Sequence, residues 1–391
     1  MFNITEAIAA ITPRVIAHYE HLHRHPEPSF EEFETTKYII DELNAIGGFT
    51  LTQLTKTGVI ADIDGGKPGK TIALRADIDC LRMDELNDGP LVSETPGLMH
   101  GCGHDAHTAM LLGVAAVISQ YKEELPGHYR LLFQPAEETP PGGAIEYVKA
   151  HALDGVDYIL GQHVMPTVPT GQIGLLPGAM MASSDRFKVV IKGSGGHASQ
   201  PHMTIDPIAI GAEIITNLQH IVSRETDPLD QLVVSVTQFH GGSTFNVIPS
   251  EATLTGSVRS FNEERRQYAS ERIQEIINAV AHLHRASVDI TYTFGYDATI
   301  NNAEVAKKLR RVILERYGEG TIPDLTPLMG AEDFSRYLKV VPGAFYFLGI
   351  GNTDKGYTYP IHHGCFRVDT DALPIGMEVM LRGGIELAGE K

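Results

Sequence analysis

The sequence predicts an α/β chain: a doubly wound, mostly parallel sheet domain interrupted by an α+β, ferredoxin-like domain. Three observations carry this. The 391 residues exceed the roughly 150 of a typical single domain. Short apolar runs alternate with helical patterns up to Ser183 and again after Asn301, the signature of βαβ units. Between those stretches the order becomes strand-helix-strand-strand-helix-strand. The expected domains are therefore 1–183 with 296–391, and 184–295 inserted between them.

Each element has a local reason. Apolar spacing predicts a helix from Ile4 to about His25, stopped by Pro26 and Pro28, and a second from Glu31 to Ala45, ended by Gly47-Gly48. Strands follow at Val59–Asp64 and Thr71–Arg75, separated by a Gly-Gly-Lys-Pro-Gly turn. A long apolar helix is expected at Asp105–Tyr121, then the strand Tyr129–Phe133, a helix at Gly143–Ala150 and the strand Tyr158–Val164. In the insert, strands at Arg186–Lys192, Gln231–Gln238, Glu251–Ser260 and Ser287–Phe294 alternate in polarity, as half-buried strands do. Helices fall at Ile205–Val222 and Glu263–His284, and afterwards at Ala303–Tyr317 and Leu373–Leu387, with a strand at Ala344–Leu348 between the last two.

Composition narrows the function. Lys plus Arg is 31 against 49 Asp plus Glu, a net charge of −18, which argues against nucleic acid or an anionic membrane surface as partner. Three distant cysteines cannot form a disulfide framework, so a reducing, cytoplasmic setting is expected. No apolar run reaches the roughly 18 residues of a membrane span, and the N-terminus lacks a signal-peptide pattern. The abnormal count is eighteen histidines.

The densest candidate cluster is Met99-His100-Gly101-Cys102-Gly103-His104-Asp105-Ala106-His107. Flanking glycines would let Cys102 and His104 swing toward one point, although two close ligands do not make a site. Glu137 and Glu138 follow Pro135 at the carboxyl end of an apolar strand, where open α/β sheets place their sites. Adjacent glutamates can divide the work, one ligating a metal while the other moves a proton. His163 ends another apolar strand, and His362-His363 stand late in the chain. Singly each has a bland structural reading; together they put Cys, His, Glu and His candidates at the ends of successive strands.

Read in order, Arg75-Ala76-Asp77-Ile78-Asp79, MHGCGHDAHTAMLLG, FQPAEE, GQHV, GSGGHASQP, FNVIP, GAEDFS and the late His-His resemble the M20 metallopeptidase family. The likeness is closest to its amidohydrolase branch of hippurate hydrolases, N-acyl-amino-acid deacylases and auxin-conjugate hydrolases. It implies a two-metal site held by Cys102, His104, Glu138, His163 and His362, with Cys102 bridging and Glu137 as general base. It further implies that the insert is a lid and dimerisation domain, that the protein is a homodimer, that His197 stabilises the reaction's oxyanion, and that Asn246 and Arg259 hold a substrate carboxylate. The implied substrate is an N-acyl amino acid and the ions Mn, Zn, Ni or Co. Other readings are a metallo-dipeptidase or aminopeptidase with the same machinery, or a catalytically silent metal-binding regulator.

The chain also departs from the family pattern. Either His362 or His363 could ligate, and the offset to Phe366 favours His362. Thr139-Pro140-Pro141 and Cys80-Leu81-Arg82-Met83 replace more usual residues near the expected substrate rim. His21, His23 and His25 imitate a metal tract, but residues two apart on a helix do not share a face. Gly65 to Thr71 imitates a phosphate loop, yet Asp64 replaces its first glycine and a strand is expected to follow. His107 is expected to pack behind the site, and Asp79 to orient a ligand.

Overall fold

Asn3 caps the first helix with its side chain, and the helix runs Ile4–Arg24 before Pro26 and Pro28. It opens a computed structural model that describes residues 2–390. The chain divides into two units, one of Met1–Met180, Ile300–Thr326 and Asp333–Lys391, the other of Met181–Thr299 and Pro327–Glu332. The short return at 327–332 has no counterpart in the sequence reading.

The first unit is built on a seven-stranded sheet. Its order is Thr50–Thr52, Val59–Asp64, Pro126–Gln134, Lys67–Asp77, Tyr158–Pro169, Gly343–Gly351 and Ile173–Gly174. The four strands from Pro126–Gln134 to Gly343–Gly351 run parallel. The three pairings toward the edges are antiparallel. The sheet is therefore mixed: its four central strands are parallel, and antiparallel pairings stand toward both edges. The turn Gly65-Gly66 reverses the chain between Val59–Asp64 and Lys67–Asp77, and Pro126–Gln134 lies between these two strands, antiparallel to the first and parallel to the second. No helix follows that glycine turn, so the phosphate-loop imitation ends in a strand.

Both faces of this sheet are covered. On one side Gly384 of the helix Leu373–Ala388 lies against Tyr129 and Leu74. On the other, Gly161 sits so close to Phe334 that a Cβ would lie 2.6 Å from its ring. The helix His104–Tyr121 is buried over most of its length, consistent with an unbroken apolar run rather than a stripe.

The second unit holds a four-stranded antiparallel sheet in the order Leu232–Gly241, Glu251–Ser260, Asp185–Lys192 and Ser287–Thr293. That is the split βαβ arrangement, with helices Pro207–Arg224 and Glu263–Leu283 packed on the inward-facing Phe187, Val189, Leu254 and Val258. Alternating burial along Asp185–Lys192 matches the period of its sequence. Among the described residues no helix is long and apolar enough to cross a membrane.

The histidine tract of the first helix splits as its periodicity requires. His21 and His25 stack on each other with ring centroids 4.6 Å apart. His23 turns inward, its Nδ1 2.7 Å from Asp105 Oδ2 and its Nε2 3.2 Å from Glu85 Oε1. Burial alone would lower the pKa of His23, but Asp105 and Glu85 raise it from 6.5 to about 9. The folded state thus holds this proton more tightly than the unfolded chain. The stabilisation is full below pH 6.5 and is lost as pH rises through about 9. We predict that His23→Gln costs on the order of 3 kcal/mol near pH 6 and much less near pH 10. Denaturant melts across that range test it, and a pH-independent penalty would contradict the ion pair.

Candidate metal centre

The site starts from a glycine. Gly103 caps the helix His104–Tyr121 with φ +94°, and a Cβ there would lie 2.3 Å from Val164 Cγ2. Only glycine allows this turn to press against the strand Tyr158–Pro169. The approach sets Cys102 Sγ 3.3 Å from His163 Nε2.

Hydrogen bonds settle which ring nitrogens are available. His163 Nδ1 lies 2.7 Å from the Val164 carbonyl, and His104 Nδ1 lies 3.0 Å from that of Asp79. A carbonyl only accepts, so both Nδ1 atoms carry hydrogen and both Nε2 atoms keep a lone pair when the rings are neutral. His107 is different: it accepts the Val164 amide at Nε2 and donates from Nδ1 to Asp77 Oδ1, 2.6 Å away. Both of its nitrogens are used, so it packs behind the site.

The glutamate pair is oriented by its own backbone. The strand Pro126–Gln134 ends before Pro135, and Ala136 takes φ +56°. The amides of Glu137 and Glu138 then donate to Asp79 Oδ1 and Oδ2, at 3.1 and 3.0 Å. Glu138 Oε1 comes 3.4 Å from His362 Nε2 and 3.9 Å from His104 Nε2. His362 reaches it from a backbone with φ +64°. His363 instead stacks on Tyr359 and accepts the Cys365 amide, so His362 is the histidine brought to the cluster.

Of the three-residue groups among the described residues that could hold an ion, three are made wholly of predicted site residues: Cys102 with His104 and His163; Cys102 with Glu138 and His362; and His104 with Glu137 and Glu138. Cys102 belongs to the first two. His104 Nε2 and Glu138 Oε1 are buried with no hydrogen-bond partner among the described residues, a costly state unless another species fills it. Burial, then Glu138, Glu137 and Asp77, push the Cys102 thiol well above its usual range. Burial would lower His104, but Asp77, Asp79 and Glu138 raise it to about 10. Burial and neighbouring His107 hold His163 well below the usual histidine range. So much carboxylate in one buried place attracts positive charge, and the soft thiolate, imidazole and carboxylate donors suit a divalent transition metal.

The remaining predicted residues lie in the second unit. His197 and Asn246 are joined by a two-stranded ribbon in which Val247 pairs with His197 and the Ala198 amide donates to the Asn246 carbonyl. The Ser199 amide donates to His197 Nδ1 at 3.1 Å, so a neutral ring carries its hydrogen on the exposed Nε2. Arg259 is half-buried on the strand Glu251–Ser260, donating to Ser257 Oγ at 2.7 Å and to the Val258 carbonyl.

The model of peptidase family M20/M25/M40 matches residues 73–383. The chain belongs to this family. It is 46% identical over 302 residues to an N-acyl-L-amino acid amidohydrolase of Geobacillus stearothermophilus, covering 77% of this chain and 82% of that one. It is 39% identical to thermostable carboxypeptidase 2 of Saccharolobus solfataricus, over 91% of this chain and 90% of that one. Among solved structures, Bacillus subtilis YXEP protein, a dinuclear metal-binding peptidase from the M20 family, superposes with a TM-score of 0.84 at 35% identity, over 96% and 98% of the two chains. The protein is thus an M20 hydrolase, and its mixed sheet is consistent with the structures of that family.

Sequence reasoning left Asp77, Arg75 and Asp333 without roles. Asp77 Oδ2 receives Arg75 Nη1 at 2.6 Å, while Arg75 Nη2 donates to Asp333 Oδ1 at 2.8 Å. An Arg-x-Asp at the end of an otherwise apolar strand was the available signal, because a buried charge needs a partner. The shared position of Cys102 predicts that Cys102→Ser and Glu138→Gln each lower bound-metal stoichiometry. Cys80→Ser and Cys365→Ser should not, since neither thiol belongs to a candidate cluster. Elemental analysis of the purified variants checks both; full stoichiometry in Cys102→Ser would remove the bridge.

Proposed function

We propose that the protein is a dinuclear metal-dependent amidohydrolase that cleaves N-acyl-L-amino acids, hippurate-like or N-acetylated, to a carboxylic acid and a free amino acid. One observation carries this reading: two three-residue clusters share Cys102, with Glu137 adjoining them. The relative named for N-acyl-L-amino acids supports the substrate class. Cys102, His104, Glu138, His163 and His362 would hold the ions, each with a donor atom in one of the candidate clusters. Divalent ions so placed acidify water and polarise a carbonyl.

The chain's own residues do the rest. The Glu137 carboxylate, 7% exposed, takes a proton from the attacking water and returns it to the amide nitrogen as the C–N bond breaks. The Glu138 carboxylate stays committed to metal, so the adjacent pair has two environments and two roles. His197 donates from Nε2 to the oxyanion. Asn246 and Arg259 hold the substrate carboxylate, which the planar guanidinium matches in geometry.

A second reading, a metallo-dipeptidase or aminopeptidase, is kept because the chain also resembles a carboxypeptidase. A panel of N-acyl amino acids, their carboxamides and dipeptides separates the two. Under the leading reading Glu137→Gln abolishes turnover with metal retained, and blocking the substrate carboxylate as an amide costs at least roughly 1.5–3 kcal/mol in kcat/KM. Equal rates on acids and amides would sink the carboxylate assignment, and faster hydrolysis of dipeptides would favour the second reading.

The insert serves in this proposal as lid and dimerisation domain, with His197 acting in the partner's site of a cytoplasmic homodimer. Mixing His197→Ala with Glu137→Gln, each inactive alone, should then return about a quarter of normal activity, because half the dimers are mixed and each has one intact site. No recovery after confirmed subunit exchange would place His197 within its own chain.

A further inference from the structure

The Glu137–Glu138 turn is held from two sides. Asp79 accepts the amides of residues 137 and 138. The amide before them, Ala136 N, donates to Glu32 Oε1 at 2.8 Å. Glu32 is fully buried and comes from a distant segment, just ahead of the helix Phe33–Ile46. The same Oε1 accepts the Phe30 amide at 3.0 Å, and Oε2 accepts Thr57 Oγ1 at 2.7 Å.

Both residues whose amides reach Oε1 are left-handed, Phe30 at φ +66° and Ala136 at φ +56°. This region is disfavoured for any residue with a Cβ. One carboxylate oxygen therefore holds two unfavourable backbones at once. Ala136 is the one that matters for chemistry, since its backbone directs the next two residues toward Asp79.

We infer that Glu32 is a positioning residue for hydrolysis: its Oε1 holds Ala136 left-handed, and thereby fixes where the Glu137 carboxylate points. The inference rests on Glu137 being the general base. What it requires of Glu32 is an acceptor at the right reach, more than a charge.

Two substitutions separate reach from charge. Glu32→Gln keeps the reach and an acceptor oxygen but loses the charge. Glu32→Asp keeps the charge and falls one methylene short. We expect Glu32→Asp to lower kcat by about tenfold to a hundredfold with KM and metal stoichiometry nearly unchanged, as displacements of about 1 Å do, while Glu32→Gln stays within about threefold of the parent. Thr57→Val, which removes the donor to Oε2, should give a smaller loss of the same kind and serves if Glu32→Asp does not fold. Hydrogen–deuterium exchange over residues 135–138 of the metal-free protein supplies a readout independent of turnover. It should quicken in Glu32→Asp and Thr57→Val and stay slow in Glu32→Gln.

The opposite order, with the Gln variant impaired and the Asp variant active, would overturn the proposal. So would losses of kcat, metal and melting temperature in step, or unchanged exchange in both Glu32→Asp and Thr57→Val. Glu137→Gln assayed alongside keeps the two readings apart: if it stays active the base assignment fails, whereas the exchange data still decide whether Glu32 holds the turn.

Discussion

The carboxylate of Asp79 is the constraint on which the site depends. It is fully buried, and a buried carboxylate is costly unless its lone pairs are filled. Its oxygens accept the amides of Glu137 and Glu138 and the hydroxyl of Ser29, and His104 Nδ1 lies 3.2 Å from Oδ1. Those donors come from a strand-ending turn, an N-terminal loop and the start of the helix His104–Tyr121. Because the Asp79 carbonyl and carboxylate take the Nδ1 hydrogen, His104 Nε2 is the nitrogen left facing Glu138. The same group thus aims a candidate ligand and sets the backbone of the candidate base.

A second buried network fixes the neighbourhood behind it. Arg75 donates from Nε to Gln134, from Nη1 to Asp77 and from Nη2 to Asp333. Gln134 also reaches Asp333, which in turn accepts the Ala144 amide. The guanidinium spreads its five donors over three nitrogens in a rigid planar fork, so one side chain reaches three separate acceptors, where a lysine would offer three donors from a single nitrogen. The end of the sheet, the turn after Gln134 and the late segment at Asp333 are therefore parts of one polar assembly. Gly161 admits Phe334 beside it because no side chain intervenes. Packing and charge pairing here require each other: the aromatic ring excludes water, and dryness makes each unmet hydrogen bond expensive.

What the sequence by itself determined was whatever depends on neighbours along the chain. Period and punctuation placed Val59–Asp64, Glu251–Ser260 and Ala303–Tyr317 at the bounds the structure shows. Glycine before His104 and proline before Ala136 marked the turns on which the candidate ligands stand. Pairing of strands was not legible in the same way. A residue period of two says that a strand has two faces and nothing about which strand lies beside it, so the antiparallel pairings toward the edges, such as Val59–Asp64 with Pro126–Gln134, could not be read from it. The offset to Phe366 favours His362 in the sequence, and the structure brings that histidine to Glu138. Only the tertiary structure decided that His23, alone of its tract, is buried against Asp105 and Glu85. It likewise decided the parts played by Arg75, Asp77 and Glu32. Each of these contacts joins residues far apart in sequence, as Arg75 and Asp333 are, 258 positions apart. Their energies come from desolvation and convergence of charge in three dimensions, and neither quantity exists until the chain has closed around them.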